Sequence, residues 1–192
     1  MKSIFFIFLL VVGCVVAVGL TREYVFFRAS YSSSAQSYCR QYYRDLATIT
    51  SKEESKQLLQ SGLSNYDRTI TCGNAKSFYC DRFLILVKEK KTWEEAQEFC
   101  RTNYTSLASV TSETSLSQLN LETVGTETES VWTGLRFMNG QWFWVSGEQL
   151  GSLVSMPSCP ALSYRCGALN TTTNTLQNLN CNEKLNFVCY WN

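Results

Sequence analysis

Along residues 83–192 the spacing of apolar positions changes several times, and each change marks an element. Phe83-Leu84-Ile85-Leu86-Val87 is a continuous β-branched, aliphatic run with charge behind it, which predicts a strand. Trp93, Ala96, Gln97 and Cys100 then follow at helical spacing. Thr92 stands before them, and Glu95 three residues on completes a capping box, so a helix starts at Trp93 with Cys100 on its inner face. Ser112 or Thr111 caps a second helix that runs to about Leu121 and turns Leu116 and Leu119 inward. Residues 125–130 are polar and loop-like. Val131-Trp132-Thr133-Gly134-Leu135 and Gln141-Trp142-Phe143-Trp144-Val145 flank Asn139-Gly140, the strongest short signal for a hairpin. Residues 146–165 are irregular, and the chain closes on the strand-like run 185–190.

Part of this pattern occurs twice. Tyr38-Cys39-Arg40 precedes Phe99-Cys100-Arg101 by 61 positions, and Ala35, Gln36, Leu46, Ala47, Ser51, Gln57 and Leu58 recur at that offset. Cys72 with Phe78-Tyr79-Cys80 matches Cys181 with Phe187-Val188-Cys189 at an offset of 109. The 48 residues by which these offsets differ are absent from the first copy. The organisation expected is therefore a leader over 1–19, a shortened module over 20–81 and a full-length module over 82–192.

Met1-Lys2, an almost wholly apolar stretch from Ile4 to Val18 and the small residues of Ala17-Val18-Gly19 form a secretory signal pattern. About 15 apolar residues are short for a bilayer span, which takes roughly 20. Secretion changes the meaning of the cysteines. Without Cys14 the remaining eight are an even set in an oxidising route, which favours disulfides. No Cys-x-x-Cys and no histidine occur, so a usual zinc site and histidine-based catalysis are excluded. Asn103 and Asn170 each open an Asn-x-Thr glycosylation acceptor. With 17 basic and 16 acidic residues, neither half offers a basic face, and nucleic acid is a poor partner.

The helix cysteine, Trp132-Thr133-Gly134-Leu135, the Trp142-x-Trp144 strand, a Met156-Pro157-Ser158 loop, Cys166, Cys181 and the Phe187-x-Cys189 ending together resemble the C-type lectin-like domain family. The likeness covers 82–192, and 20–81 matches only that domain's beginning and end. It implies an α+β fold with two helices, two small antiparallel sheets, disulfide staples and a long ligand-binding loop. It further implies bridges Cys39–Cys80, Cys100–Cys189 and Cys166–Cys181, and a cis bond before Pro157. Cys72 and Cys159 are left over. They either pair with each other or each captures a second chain.

Sugar-binding relatives of this kind hold calcium in the long loop. Here the corresponding positions are Met156-Pro157-Ser158, Tyr164-Arg165 and Leu176-Gln177-Asn178, and none carries a carboxylate. Calcium takes 6–8 oxygens, largely from carboxylates, so no metal or other cofactor is expected. The candidate ligand-binding residues are Met156, Pro157, Ser158, Tyr164, Arg165, Gln177 and Asn178, with no catalytic residue among them. Met156 and Tyr164 have an equal claim as packing of the loop over the core. Trp132, Trp142 and Trp144 alternate along strands and are expected inside, and residues 88–91 are expected as a solvated turn. The reading is a secreted, non-enzymatic recognition protein binding a glycan without calcium. The alternatives are a protein-interaction module or a scaffold inactivated by truncation.

Overall fold

In the computed structural model, which describes residues 21–27, 35–60, 78–151 and 155–192, the apolar run at 83–87 is the middle of a much longer strand. The leader, Cys14 and Cys72 lie outside the described residues. The elements follow as β1 (Thr21–Phe27), α1 (Ala35–Tyr42), β2 (Asp45–Leu46), α2 (Lys52–Gln60), β3 (Phe78–Lys91), α3 (Trp93–Asn103), β4 (Ser106–Leu107), α4 (Glu113–Glu122), β5 (Ser130–Met138), β6 (Gln141–Trp144), β7 (Cys166–Asn170), β8 (Thr175–Leu179) and β9 (Leu185–Trp191). Residues 88–91 are therefore strand and not a turn. Lys90 and Lys91 are held there by pairing with Glu127 at 3.5 Å and Glu89 at 2.8 Å.

Local chemistry accounts for the helix starts. Thr92 Oγ1 accepts from the Glu95 amide and the Glu95 carboxylate accepts from the Thr92 amide, so α3 begins as a complete capping box. Ser112 caps α4 in the same reciprocal way, with Ser115 in place of a glutamate. Asn139 at φ 52° and Gly140 at φ 81° form the tight turn between β5 and β6, a conformation that Asn-Gly adopts at low cost.

The strands form one sheet along the path β1-β3-β9-β5-β7-β8. Its two antiparallel regions meet through a short parallel pairing of β5 with β9, at Val131 opposite Asn186 and Trp132 opposite Phe187. Two adjoining clusters make the core. One gathers Trp142, Trp144, Leu135, Leu169 and Val188, and the other Trp93, Trp132, Cys100, Phe187 and Cys189. Four of the five tryptophans are buried, Trp191 being exposed, and three of the four place the indole N–H on a carbonyl: Trp93 on Thr133, Trp132 on Lys91 and Trp142 on Pro157. Disulfides close Cys39 to Cys80, Cys100 to Cys189 and Cys166 to Cys181.

The same local arrangement appears twice along β3 and β9. Leu46 of β2 sits opposite Cys80 of β3, and Leu107 of β4 sits opposite Cys189 of β9. In each case that cysteine is bridged to the helix before the short strand. The boundary expected at 81/82 falls inside β3, whose first part pairs with β1 and whose later part pairs with β9.

Arg82 and Glu23 are buried at this junction, with half-buried Glu148 beside them. The Arg82 Nε–H donates to Glu23 of β1 at 2.6 Å, and its Nη2 lies 3.0 Å from Glu148. The guanidinium also stands 3.3 Å from the centre of the Tyr190 ring. Burial pulls the Arg82 pKa down, but Glu23, Tyr190 and Glu148 outweigh that and hold it above the ordinary arginine range. Burial pushes the Glu23 carboxyl up further than Arg82 draws it down.

Candidate functional site

The long loop leaves β6 at a turn where Gly147, at φ 81°, donates its amide to the Trp144 carbonyl. It returns to the sheet at Cys166. Three hydrogen bonds fix its second half from below: Trp142 Nε1–H to the Pro157 carbonyl, Phe137 N–H to the Arg165 carbonyl and Cys181 N–H to the Ser163 carbonyl. The Cys166–Cys181 bridge joins the loop's end to the segment just after β8. Closing a loop of that size contributes about 3 kcal/mol in the chain-entropy account.

The seven candidates separate into two groups. Met156 packs against the core cluster around Trp142, Pro157 supplies the carbonyl to that indole, and Gln177 donates its amide to Ser130 Oγ at 2.6 Å. Met156 and Pro157 tie the loop to the core, and Gln177 ties β8 to β5. Ser158 and Tyr164 are exposed, while Arg165 and Asn178 are half-buried. Among the described residues neither Arg165 nor Asn178 uses its side chain in a hydrogen bond or ion pair, and Arg165 Nε is buried without a partner. The Met156–Pro157 bond is trans, since the described residues contain no cis peptide. That corrects the expected loop geometry.

Two exposed apolar residues belong with this face although their sequence context does not single them out. Leu162 is 78 % exposed in the loop, and Met138 is 53 % exposed at the hairpin tip beside Phe137, which bonds to the Arg165 carbonyl. The available signal was an apolar residue lying outside any period. Cys159 is a free, exposed thiol on the same loop, and the bridge considered between Cys72 and Cys159 involves Cys72, which lies outside the described residues. Asn103 is exposed at the end of α3. Asn170, by contrast, is buried, its amide donating to Glu129 while its carbonyl oxygen accepts from Thr172 and Thr173. It caps the β7–β8 turn and does not present a free amide to solvent.

The donor set at the loop does not fit calcium. The nearest acids in sequence are engaged elsewhere: Glu148 with Arg82 and Ser146, Glu183 with the Asn180 amide, Glu129 with Asn170. What remains is hydroxyl, amide and thioether beside one guanidinium, which is poor company for a hard divalent cation. Among the described residues, Glu94 with Cys166 and Cys181 also stands close enough to enclose an ion. Both sulfurs belong to the disulfide, and Glu94 pairs with Arg136 at 2.9 Å.

A second concavity, of about 1390 Å³, opens where the two halves meet. Phe27, Tyr38 and Tyr42 line one side, Trp93 and Arg136 line part of the other, and Arg82 reaches it from below. The sequence holds the aromatic residues in view but not their pairing across the halves.

A family model described as the lectin C-type domain matches residues 89–191. Among curated proteins, mouse lithostathine-2 is 29 % identical over 129 residues, covering 62 % of this chain and 75 % of the relative. Snaclec crotocetin-1 of Crotalus durissus terrificus is 32 % identical over 143 residues, covering 67 % and 78 %. Bovine E-selectin matches at 32 % over 73 residues, and the chain spans only 15 % of its length. Among solved structures, human lithostathine superposes with a TM-score of 0.51 at 23 % identity, over 57 % of this chain and 91 % of that one. That likeness speaks for the fold alone.

Proposed function

Because this chain belongs to the C-type lectin domain family, we propose that it is a secreted, non-catalytic recognition protein whose long loop takes its ligand without calcium. The observation that carries this reading is the loop's chemistry. From Gln149 to Asn182 the chain has no acid, and the acids flanking that stretch are engaged elsewhere. A glycan is the ligand class proposed, held by the Ser158 hydroxyl, the Tyr164 ring and the uncommitted Asn178 amide. Exposure of Leu162 and Met138 favours a second reading, in which the same face meets an extracellular protein, since apolar and aromatic side chains anchor such contacts.

Residues 20–81 are, on this reading, a shortened copy of the module at 82–192. Support comes from the matched pairings of Leu46 with Cys80 and Leu107 with Cys189, each beside an equivalent bridge. A leader over 1–19 and a glycan on Asn103 fit the same secreted route, and exposed Cys159 suits a disulfide to a second chain. A glycan array probed with the oxidised protein, in calcium and again in chelator, tests the reading. Equal capture in both supports it, and capture that chelator abolishes contradicts it.

A further inference from the structure

The one charge in the long-loop region has no counter-ion among the described residues. From Gln149 to Asn182 Arg165 is the only charged residue. Its guanidinium makes no hydrogen bond or ion pair among the described residues, and of its three nitrogens Nε is the buried, unpartnered one. Burying a charged donor without an acceptor is costly. The other arginines at comparable depth avoid that cost. Arg82 has Glu23 and Glu148, Arg22 has Asp81 and Glu54, and Arg136 has Glu94. The backbone at Arg165 is held, because its carbonyl is bonded to Phe137 and the next residue is bridged to Cys181.

We propose that Arg165 is an anion anchor: it selects a saccharide bearing a carboxylate or a sulfate. The guanidinium would supply in one fixed cation the charge that calcium supplies elsewhere in a lectin, and its planar fork of donors matches a two-oxygen anionic group. Asn178 and Ser158, neither bonded through its side chain among the described residues, offer hydrogen bonds to neighbouring hydroxyls of the sugar. The acid at the Cys166–Cys181 bridge, Glu94, is paired with Arg136. This proposal rests on the calcium-independent loop reading, and it goes further by naming the ligand's charge.

The test uses the full oxidised chain in chelator and in parallel in calcium, with a heparin-derived oligosaccharide as the sulfated probe, a hyaluronan oligosaccharide as the carboxylated one and dextran as the neutral one. Binding of at least one acidic probe is expected to exceed dextran, weaken as salt rises, and fall at least about tenfold in Arg165→Gln. Arg165→Lys should retain part of it, and Lys90→Gln, on the far strand, all of it. Whichever acidic probe binds better identifies the source of the anion. An unchanged affinity in Arg165→Gln, no preference over dextran, or no binding to any probe overturns the anchor. If Arg165→Gln is silent while chelator-resistant binding to dextran persists, the loop reading stands and only the anchor falls. If all binding requires calcium, both fall.

Discussion

Arg82 shows how far a single side chain can be read from sequence. In the linear chain it is one basic residue after Asp81 at a module boundary. In the fold it is buried between Glu23, Glu148 and the Tyr190 ring, which come from positions 59, 66 and 108 residues away. No local pattern could reveal that, since the partners meet only when β1, β3 and β9 pair. Arg82→Leu leaves Glu23 buried and unpaired and is expected to cost about 3–5 kcal/mol in chemical unfolding. Glu23 gives a separate pH prediction. Its folded pKa is raised above 4.5 by burial, so its contribution is fully present below that value and is lost as pH rises through the raised pKa. The stability of the native chain relative to Glu23→Gln should therefore decline from about pH 4.5 upward in urea unfolding. A relative stability that grew with pH would mean that Arg82 attraction outweighs desolvation.

Elements were more legible than contacts, because capping and turn chemistry act over a few residues. Thr92 with Glu95 marks the start of α3, and Asn139-Gly140 marks the β5–β6 turn. Thr92→Ala should lower stability by about 1 kcal/mol, read as a shift in the denaturant midpoint without change in its slope. Residues 88–91 misled because four charged positions in a row suggest solvent. They are strand because β3 continues to Lys91, where it still pairs with Leu185. At the loop the sequence names a segment but not which of its residues pack and which stay exposed. Met156, Pro157 and Gln177 face partners that only the folded hairpin supplies. Replacing Cys166 and Cys181 together by alanine should cost about 2–5 kcal/mol and speed amide exchange first at residues 163–166. Uniform acceleration across the sheet would show instead that the bridge supports the whole fold.

At the scale of the molecule, the first half is joined to the second through shared structure. β3 serves β1 on one side and β9 on the other, the Glu23–Arg82 pair crosses the junction, and the Gln118 amide of α4 donates to the Arg22 carbonyl. About 60 residues bury too little surface to stand alone without such support. Residues 20–81 expressed alone should give collapsed, poorly dispersed amide spectra, whereas the full chain should unfold in one transition. Sharp, dispersed signals from the fragment would make the first half autonomous. That β3 pairs with β1 and with β9 was not legible in the sequence, since the partners lie far apart along the chain. The central claim concerns the loop: a disulfide-held face that recognises its ligand with neutral groups and one arginine. Isothermal calorimetry of the oxidised chain with calcium tests it most directly. The account predicts no saturable heat up to millimolar calcium, in the native chain or in Asn178→Ala. Saturable uptake in the native chain that disappears in Asn178→Ala would place the ion at the loop and contradict it.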